Sequence, residues 1–272
     1  MKERVGHTMA EDAGRAAGLP VARLVVIGAI AGLLSGLFGV GGGFVIVPLA
    51  IVFLGLDQRR ASASSLLAIV PTATIGAISY AYGGQVAVVP ACLVAAGAIP
   101  GSLAGSWLLR NLKLGILRWA FVVLVAVVAV WMAFFTPERG EPAGLSAGRV
   151  VGLVALGLVM GTLSGLFGIG GGVVAVPALM MVFGFSDLAA KGISLLAMVP
   201  AAVTGTVTNL RGRVMDWRVG AIIGGAAALC SMAGTRLAFL LTPQAAAWTF
   251  AGLLAYTAYT LGRKAWRARG HN

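Results

Sequence analysis

Gly36-Leu37-Phe38-Gly39-Val40-Gly41-Gly42-Gly43, closed by Pro48, lies inside a run that is otherwise apolar enough to cross a bilayer. The string returns with one change, Ile169 for Val40, 129 residues later as Gly165-Leu166-Phe167-Gly168-Ile169-Gly170-Gly171-Gly172, with Pro177 in the place of Pro48. A glycine cluster in hydrocarbon is costly, because flexible backbone exposes N–H and C=O groups that lipid cannot satisfy. Two copies at one fixed spacing therefore read as helix breaks with a purpose, and as the functional centre.

The repeat extends outward from these blocks. Between Gly28–Pro48 and Gly157–Pro177, 14 of 21 positions are identical without a gap. The same offset pairs Gly55 with Gly184, Ser65-Leu66-Leu67-Ala68 with Ser194-Leu195-Leu196-Ala197, Pro71 with Pro200, and Gly105 with Gly234. The chain is a duplication.

Composition sets the medium. Of 272 residues, 59% are hydrophobic and only 10% charged, against roughly 25% charged in soluble domains. Apolar runs of span length recur from residue 21 to 262, which predicts an all-α polytopic membrane protein. The net charge of +12 comes from Lys and Arg in short loops and tails, so it points to membrane topology and not to nucleic acid. Cys92 and Cys230 fall inside expected spans and read as small buried hydrophobes, while His7 and His271 lie in the tails. No set has metal-ligand spacing or the parts of a nucleophile, so neither metal, cofactor nor enzyme activity is expected.

The expected organisation is a polar tail (1–20) without a secretory h-region, a first membrane repeat (21–135), a linker (136–147) around Pro137-Glu138-Arg139-Gly140-Glu141-Pro142, a second repeat (148–262) and a basic tail (263–272). Long spans are expected at 21–38, 64–82, 86–109, 116–135, 150–167, 193–210, 217–241 and 245–261. Two short segments, 44–56 and 173–185, are too short for a ~30 Å core unless the membrane is thin there, and otherwise re-enter as hairpins. That makes 8–10 membrane segments. Gly28, Gly32 and Gly36 place small residues on one face every four positions, which suits close helix packing.

Charge then sorts the loops. If each long-plus-short pair begins and ends on one side, sixteen Lys and Arg residues fall on that side and three, Arg139, Arg149 and Lys191, on the other. Both termini are thus expected in the cytoplasm of a plasma (inner) membrane protein. Each half has an odd number of crossings in either arrangement, so the second must be inserted upside down. Inverted repeats around broken helices are a secondary-transporter architecture.

A helix N-terminus carries about half a positive charge and binds anions through its free N–H groups. The free first-turn N–H groups around Gly42 to Val45 and around Gly171 to Val174 are therefore expected to approach a small oxyanion from opposite sides. A dinucleotide fingerprint is excluded, because the sixth position from Gly39 is Phe44 and from Gly168 is Val173. Ser65, Ala68, Thr72, Gly76 and Ser79 share a helix face, as do Ser194, Ala197, Ala201, Gly205 and Thr208. Such a face either lines a pathway or makes a tight helix contact. Pro71 and Pro200 interrupt both helices. Arg236 is the one charge embedded in a span, and either snorkels or draws anions inward. Lys191, Asn209 and Arg211 are weaker candidates of the same kind.

The doubled G-x-x-S-G-L-F-G-x-G-G-G-x-x-x-V-P block, Gly32 to Pro48 and Gly161 to Pro177, with the Ser-Leu helix after each and a later Gly-Gln-Val or Gly-Arg-Val turn, resembles the sulfite exporter TauE/SafE family, also called the toluenesulfonate uptake permeases. The resemblance spans about residues 22–262. It implies a plasma-membrane transporter of small sulfur-containing anions such as sulfite, sulfonates or sulfoacetate, and it carries over Ser35, Gly39, Gly41, Gly42, Gly43 and Pro48 with Ser164, Gly168, Gly170, Gly171, Gly172 and Pro177. The candidate substrate-binding set is Ser35, Gly41, Gly42, Gly43, Ser65, Ser164, Gly170, Gly171, Gly172, Ser194 and Arg236. The two Ser-Leu helices differ, with Ser62 and Ser64 in the first against Lys191 and Ile193 in the second, which predicts an asymmetric site. A passive anion channel with a fixed pore is the alternative. Expected partners are a small anion and membrane lipid; the sequence leaves open whether the chain forms a homodimer.

Overall fold

The computed structural model describes residues 21–134 and 146–269. The N-terminal tail, residues 136–145 of the expected linker and the last three residues lie outside the described residues. Within them the chain forms ten helices and no strand, as expected where lipid leaves the backbone no partner but itself. In order they are α1 (Val21–Phe38), α2 (Gly43–Phe53), α3 (Gln58–Tyr82), α4 (Val88–Asn111), α5 (Leu114–Phe134), α6 (Ala147–Phe167), α7 (Gly172–Met181), α8 (Asp187–Arg211), α9 (Trp217–Leu240) and α10 (Pro243–Arg269). Seven of them are long and apolar enough to cross a membrane. The less apolar α10 is 27 residues long and packs beside α5. The short helices α2 and α7 have 11 and 10 residues, and at ~1.5 Å per residue they fall well short of a ~30 Å hydrocarbon core.

Three boundaries move by six residues or more; one is the end of α10, which runs to Arg269 instead of 261. Helix α3 begins at Gln58 instead of Ser64, and α8 at Asp187 instead of Ile193. Capping explains both shifts: the Asp57 carboxylate accepts from the Arg60 N–H, and the Ser186 hydroxyl accepts from the Ala189 N–H. Polar residues that read as loop are therefore helical. Both helices run on through their prolines, Pro71 and Pro200.

Packing interleaves the two halves. The face of Gly28, Gly32 and Gly36 on α1 meets backbone carbonyls of Ile223, Ala227 and Ser231 on α9. The equivalent Gly157, Gly161 and Gly165 on α6 meet those of Val94, Ala98 and Ser102 on α4. The small-residue spacing was thus a close-packing signal, and each half supplies the partner of the other. At the centre α3 packs on α8. Gly192 near the start of α8 lies on the Gln85 carbonyl just past the end of α3, while Ser64 near the start of α3 accepts from the Asp216 N–H just past the end of α8. The two helices run antiparallel.

One expectation fails. Cys92 is exposed and Cys230 only half-buried, because both point away from these close-packed faces.

Gly161→Val would push a branched side chain into the Ala98 carbonyl, whereas Gly225 is exposed with open space around its Cβ position. Thermal unfolding in detergent is expected to show Gly161→Val destabilised by about 1–3 kcal/mol or more, the cost of overpacking, and Gly225→Val unchanged.

Candidate functional site

Helix α1 stops because Gly39 turns left-handed at φ 70°, its N–H held by the Ser35 carbonyl at 2.8 Å. Gly41 and Gly42 are also left-handed, at φ 76° and 75°, and Gly42 caps α2. The second copy repeats this backbone at Gly168, Gly170 and Gly171, with φ of 67°, 80° and 75°, and Gly168 bonds to Ser164 at 2.8 Å. Few residues other than glycine tolerate that conformation. The first helical bonds of α2 and α7 are made by Val45 to the Gly42 carbonyl and by Val174 to the Gly171 carbonyl. Those two N–H groups are occupied, so the free first-turn donors sit at Gly43, Phe44, Gly172 and Val173.

The two breaks touch. A Cβ on Gly43 would overlap the Gly168 carbonyl and Ile169, and one on Gly172 would strike Val40 and the Gly39 carbonyl. The structure thus brings Gly41–Gly43 and Gly170–Gly172 together. What lies between them was not expected. The Met198 thioether fills the space against Gly41, Gly170 and Gly172, and Ile69 fills the space against Gly41 and Gly43. Met198 and Ile69 are equivalent positions of the repeat. In this conformation the centre is packed.

Around it stand hydroxyls of two kinds. Ser65 donates to the Gly168 carbonyl at 2.6 Å and pins the second break to α3. Its counterpart Ser194 is fully buried and its hydroxyl has no partner. Ser35 and Ser164, in the last turns before the breaks, are fully buried and equally unpartnered. The faces that continue from Ser65 and Ser194 are packed contacts: Gly76 lies against Leu195 and Ser231, Gly205 against Leu66 and Ser102. Arg236 does not join the site, because its side chain is exposed on α9.

Of the three weaker candidates, Arg211 is exposed at the end of α8, while Asn209 and Lys191 are buried. Asn209 is fully buried on α8 with neither amide atom partnered, and Ser106 and Thr206 are also buried without partners. Asn209 occupies the repeat position of Tyr80, whose hydroxyl reaches the Gly36 carbonyl at 2.7 Å. Lys191 is 2% exposed and paired with Asp187 at 2.6 Å, with its stem lying over Gly39.

The two ends of the molecule differ. At the end where α3 starts, an Arg59 N–H donates to the Leu112 carbonyl at 2.7 Å and Arg110 donates to the Thr208 carbonyl at 3.0 Å. Arg59 therefore straps α3 to α4. At the opposite end a cleft of about 380 Å³ opens between Gln85, Phe185, Ser186, Asp187, Phe239 and Leu241. Leu188 and Leu241, the repeat counterparts of Arg59 and Leu112, both line it.

Comparison with known proteins agrees with the glycine blocks. The family model described as sulfite exporter TauE/SafE matches residues 6–132 and 153–272. A probable membrane transporter protein, YunE of Bacillus subtilis, is 30% identical over 219 residues, covering 71% of this chain and 80% of its own. A probable membrane transporter protein of Xylella fastidiosa (strain 9a5c) is 30% identical over 207 residues, covering 73% and 78%. No solved structure matches.

Ser65→Ala would leave the buried Gly168 carbonyl without its donor, which costs about 1–3 kcal/mol. Ser194→Ala removes a hydroxyl that has no partner, so the same measurement is expected to show no loss or a gain. Equal effects at these two equivalent positions would contradict the asymmetry.

Proposed function

The chain belongs to the sulfite exporter TauE/SafE family of membrane transporters, and we propose that it carries small sulfur-containing anions such as sulfite, sulfonates or sulfoacetate through a site at the paired glycine breaks. The observation that supports this most is the set of buried, unpartnered hydroxyls of Ser35, Ser164 and Ser194 beside two helix N-termini. A buried donor left unpaired costs about 1–3 kcal/mol. Three of them around the same breaks make sense if a bound oxyanion satisfies them, together with the free N–H groups of Gly43, Phe44, Gly172 and Val173. The preference for sulfur comes from the family alone, since these donors suit any small oxyanion.

The mechanism is alternating access by two inverted repeats, residues 21–135 and 148–262. Antiparallel α3 and α8 support the inversion. By the positive-inside sorting, the end strapped by Arg59 is cytoplasmic along with both termini, and the cleft faces outward across the plasma membrane. Ser106, Thr206 and Asn209 then offer polar stations toward the cytoplasmic end. A fixed anion pore is the competing reading. Ile69 and Met198 disfavour it, because they close the centre and must move before an ion passes.

In proteoliposomes, uptake of sulfite and methanesulfonate is expected to saturate and each to compete with the other. Ser35→Ala with Ser164→Ala should raise the half-saturation concentration about tenfold to a hundredfold, at ~1 kcal/mol per lost hydrogen bond, with no fall in thermal midpoint. An unchanged half-saturation would remove the serines from the site. Non-saturating single-channel currents would establish the pore.

A further inference from the structure

Lys191 is the only Lys or Arg that is buried as a whole residue among those in residues 21–132 and 146–263, the residues whose burial is described. Its ammonium meets the Asp187 carboxylate at 2.6 Å, with the two side chains 3% and 10% exposed. Asp187 forms part of the wall of the 380 Å³ cleft. The Lys191 stem lies over Gly39, so the residue stands between the cleft and the first glycine break. One turn deeper on the same helix is Ser194, buried and unpartnered.

The other half holds a neutral pair at the same place. Gln58 and Ser62 are the repeat counterparts of Asp187 and Lys191, and the Gln58 amide donates to the Ser62 hydroxyl at 3.4 Å. Packing in this fold therefore does not require an ion pair there. A buried pair replaceable by neutral groups is a weak source of stability, so its presence in one half calls for another reason.

We propose that Lys191 captures one small oxyanion per chain from the cleft, and that Asp187 is the internal counter-anion that the ligand displaces. A buried ammonium needs a negative partner at every stage. Asp187 supplies it while the cleft is empty. An incoming oxyanion presents the same oxygen geometry to the ammonium, and the released carboxylate turns into the cleft, where water solvates it. The buried site stays neutral throughout. Ser194 is the next donor on the way to the break, within reach of a flexible lysine stem. The first half has no cation at this position, which limits capture to one anion. This rests on the reading that the chain carries small anions.

The full-length protein is assayed with sodium methanesulfonate and sodium sulfite, by binding in detergent and by uptake in proteoliposomes. Lys191→Gln is expected to raise the half-saturation concentration at least tenfold. Asp187→Asn frees the ammonium from its competitor and is expected to lower it several-fold. The double variant Asp187→Gln with Lys191→Ser copies the first half's neutral pair; it is expected to keep the wild-type thermal midpoint and bind as poorly as Lys191→Gln. Wild-type half-saturation in the double variant, or no tightening in Asp187→Asn, overturns the capture role and leaves the transporter reading standing. Neither binding nor uptake of either probe by the wild-type protein overturns both.

Discussion

Backbone-to-backbone contact between two broken helices is the constraint on which the rest of this structure depends. Gly43 abuts the Gly168 carbonyl and Gly172 abuts Val40, leaving no room for a side chain on either. Bringing irregular backbone to that depth is tolerable only where protein surrounds it. The surrounding protein is α3 and α8, which pack against α2 and α7 and fill the remaining space with Ile69 and Met198. Close approach elsewhere follows from the same need. The glycine faces of α1 and α6 let α9 and α4 lie near enough to shield the breaks from lipid.

The scaffold is duplicated, but several of the polar groups set into it differ in kind or in partner. The positive-φ glycines of the breaks, Gly39, Gly41 and Gly42, and the packing glycines of α1, Gly28, Gly32 and Gly36, recur at the 129-residue offset, because they answer to backbone geometry that both halves share. Ser65 bonds to the opposite break while Ser194 does not; Tyr80 reaches the Gly36 carbonyl while Asn209 reaches nothing; Gln58 and Ser62 are neutral where Asp187 and Lys191 are charged. In these three pairs the second half holds the group that is less satisfied or more charged, whereas Arg59 against Leu188 and the unpartnered Ser106 against the hydrogen-bonded Thr235 run the other way.

Closure differs between the ends as well. Arg59 straps one end, and its counterpart Leu188 lines the open cleft at the other. In the proposed cycle these are the two gates, with the packed centre between them. Met198 suits that role because it touches both breaks, at Gly41, Gly170 and Gly172, and a thioether side chain repacks at low cost.

Hydropathy and the repeated glycines were enough to place this chain in a membrane, divide it in two and mark where its helices break, because each of those features is local. Span length needs only a run of apolar residues, and a left-handed turn needs only glycine. The sequence also carried the asymmetry between Ser62 and Lys191 without its meaning. Asp187 and Lys191 are four apart, the spacing of a helical ion pair, but with α8 expected to start at Ile193 both read as loop. The Ser186 cap and the burial of the α8 start between α3 and the cleft made them an interior pair. Tertiary structure alone decided that α1 packs on α9 of the other half, that a methionine closes the gap between the breaks, and that Arg236 faces outward. A stripe of glycines fits any close partner, and an arginine in a span is compatible with either face. Only the three-dimensional arrangement of helices decides which surface meets which.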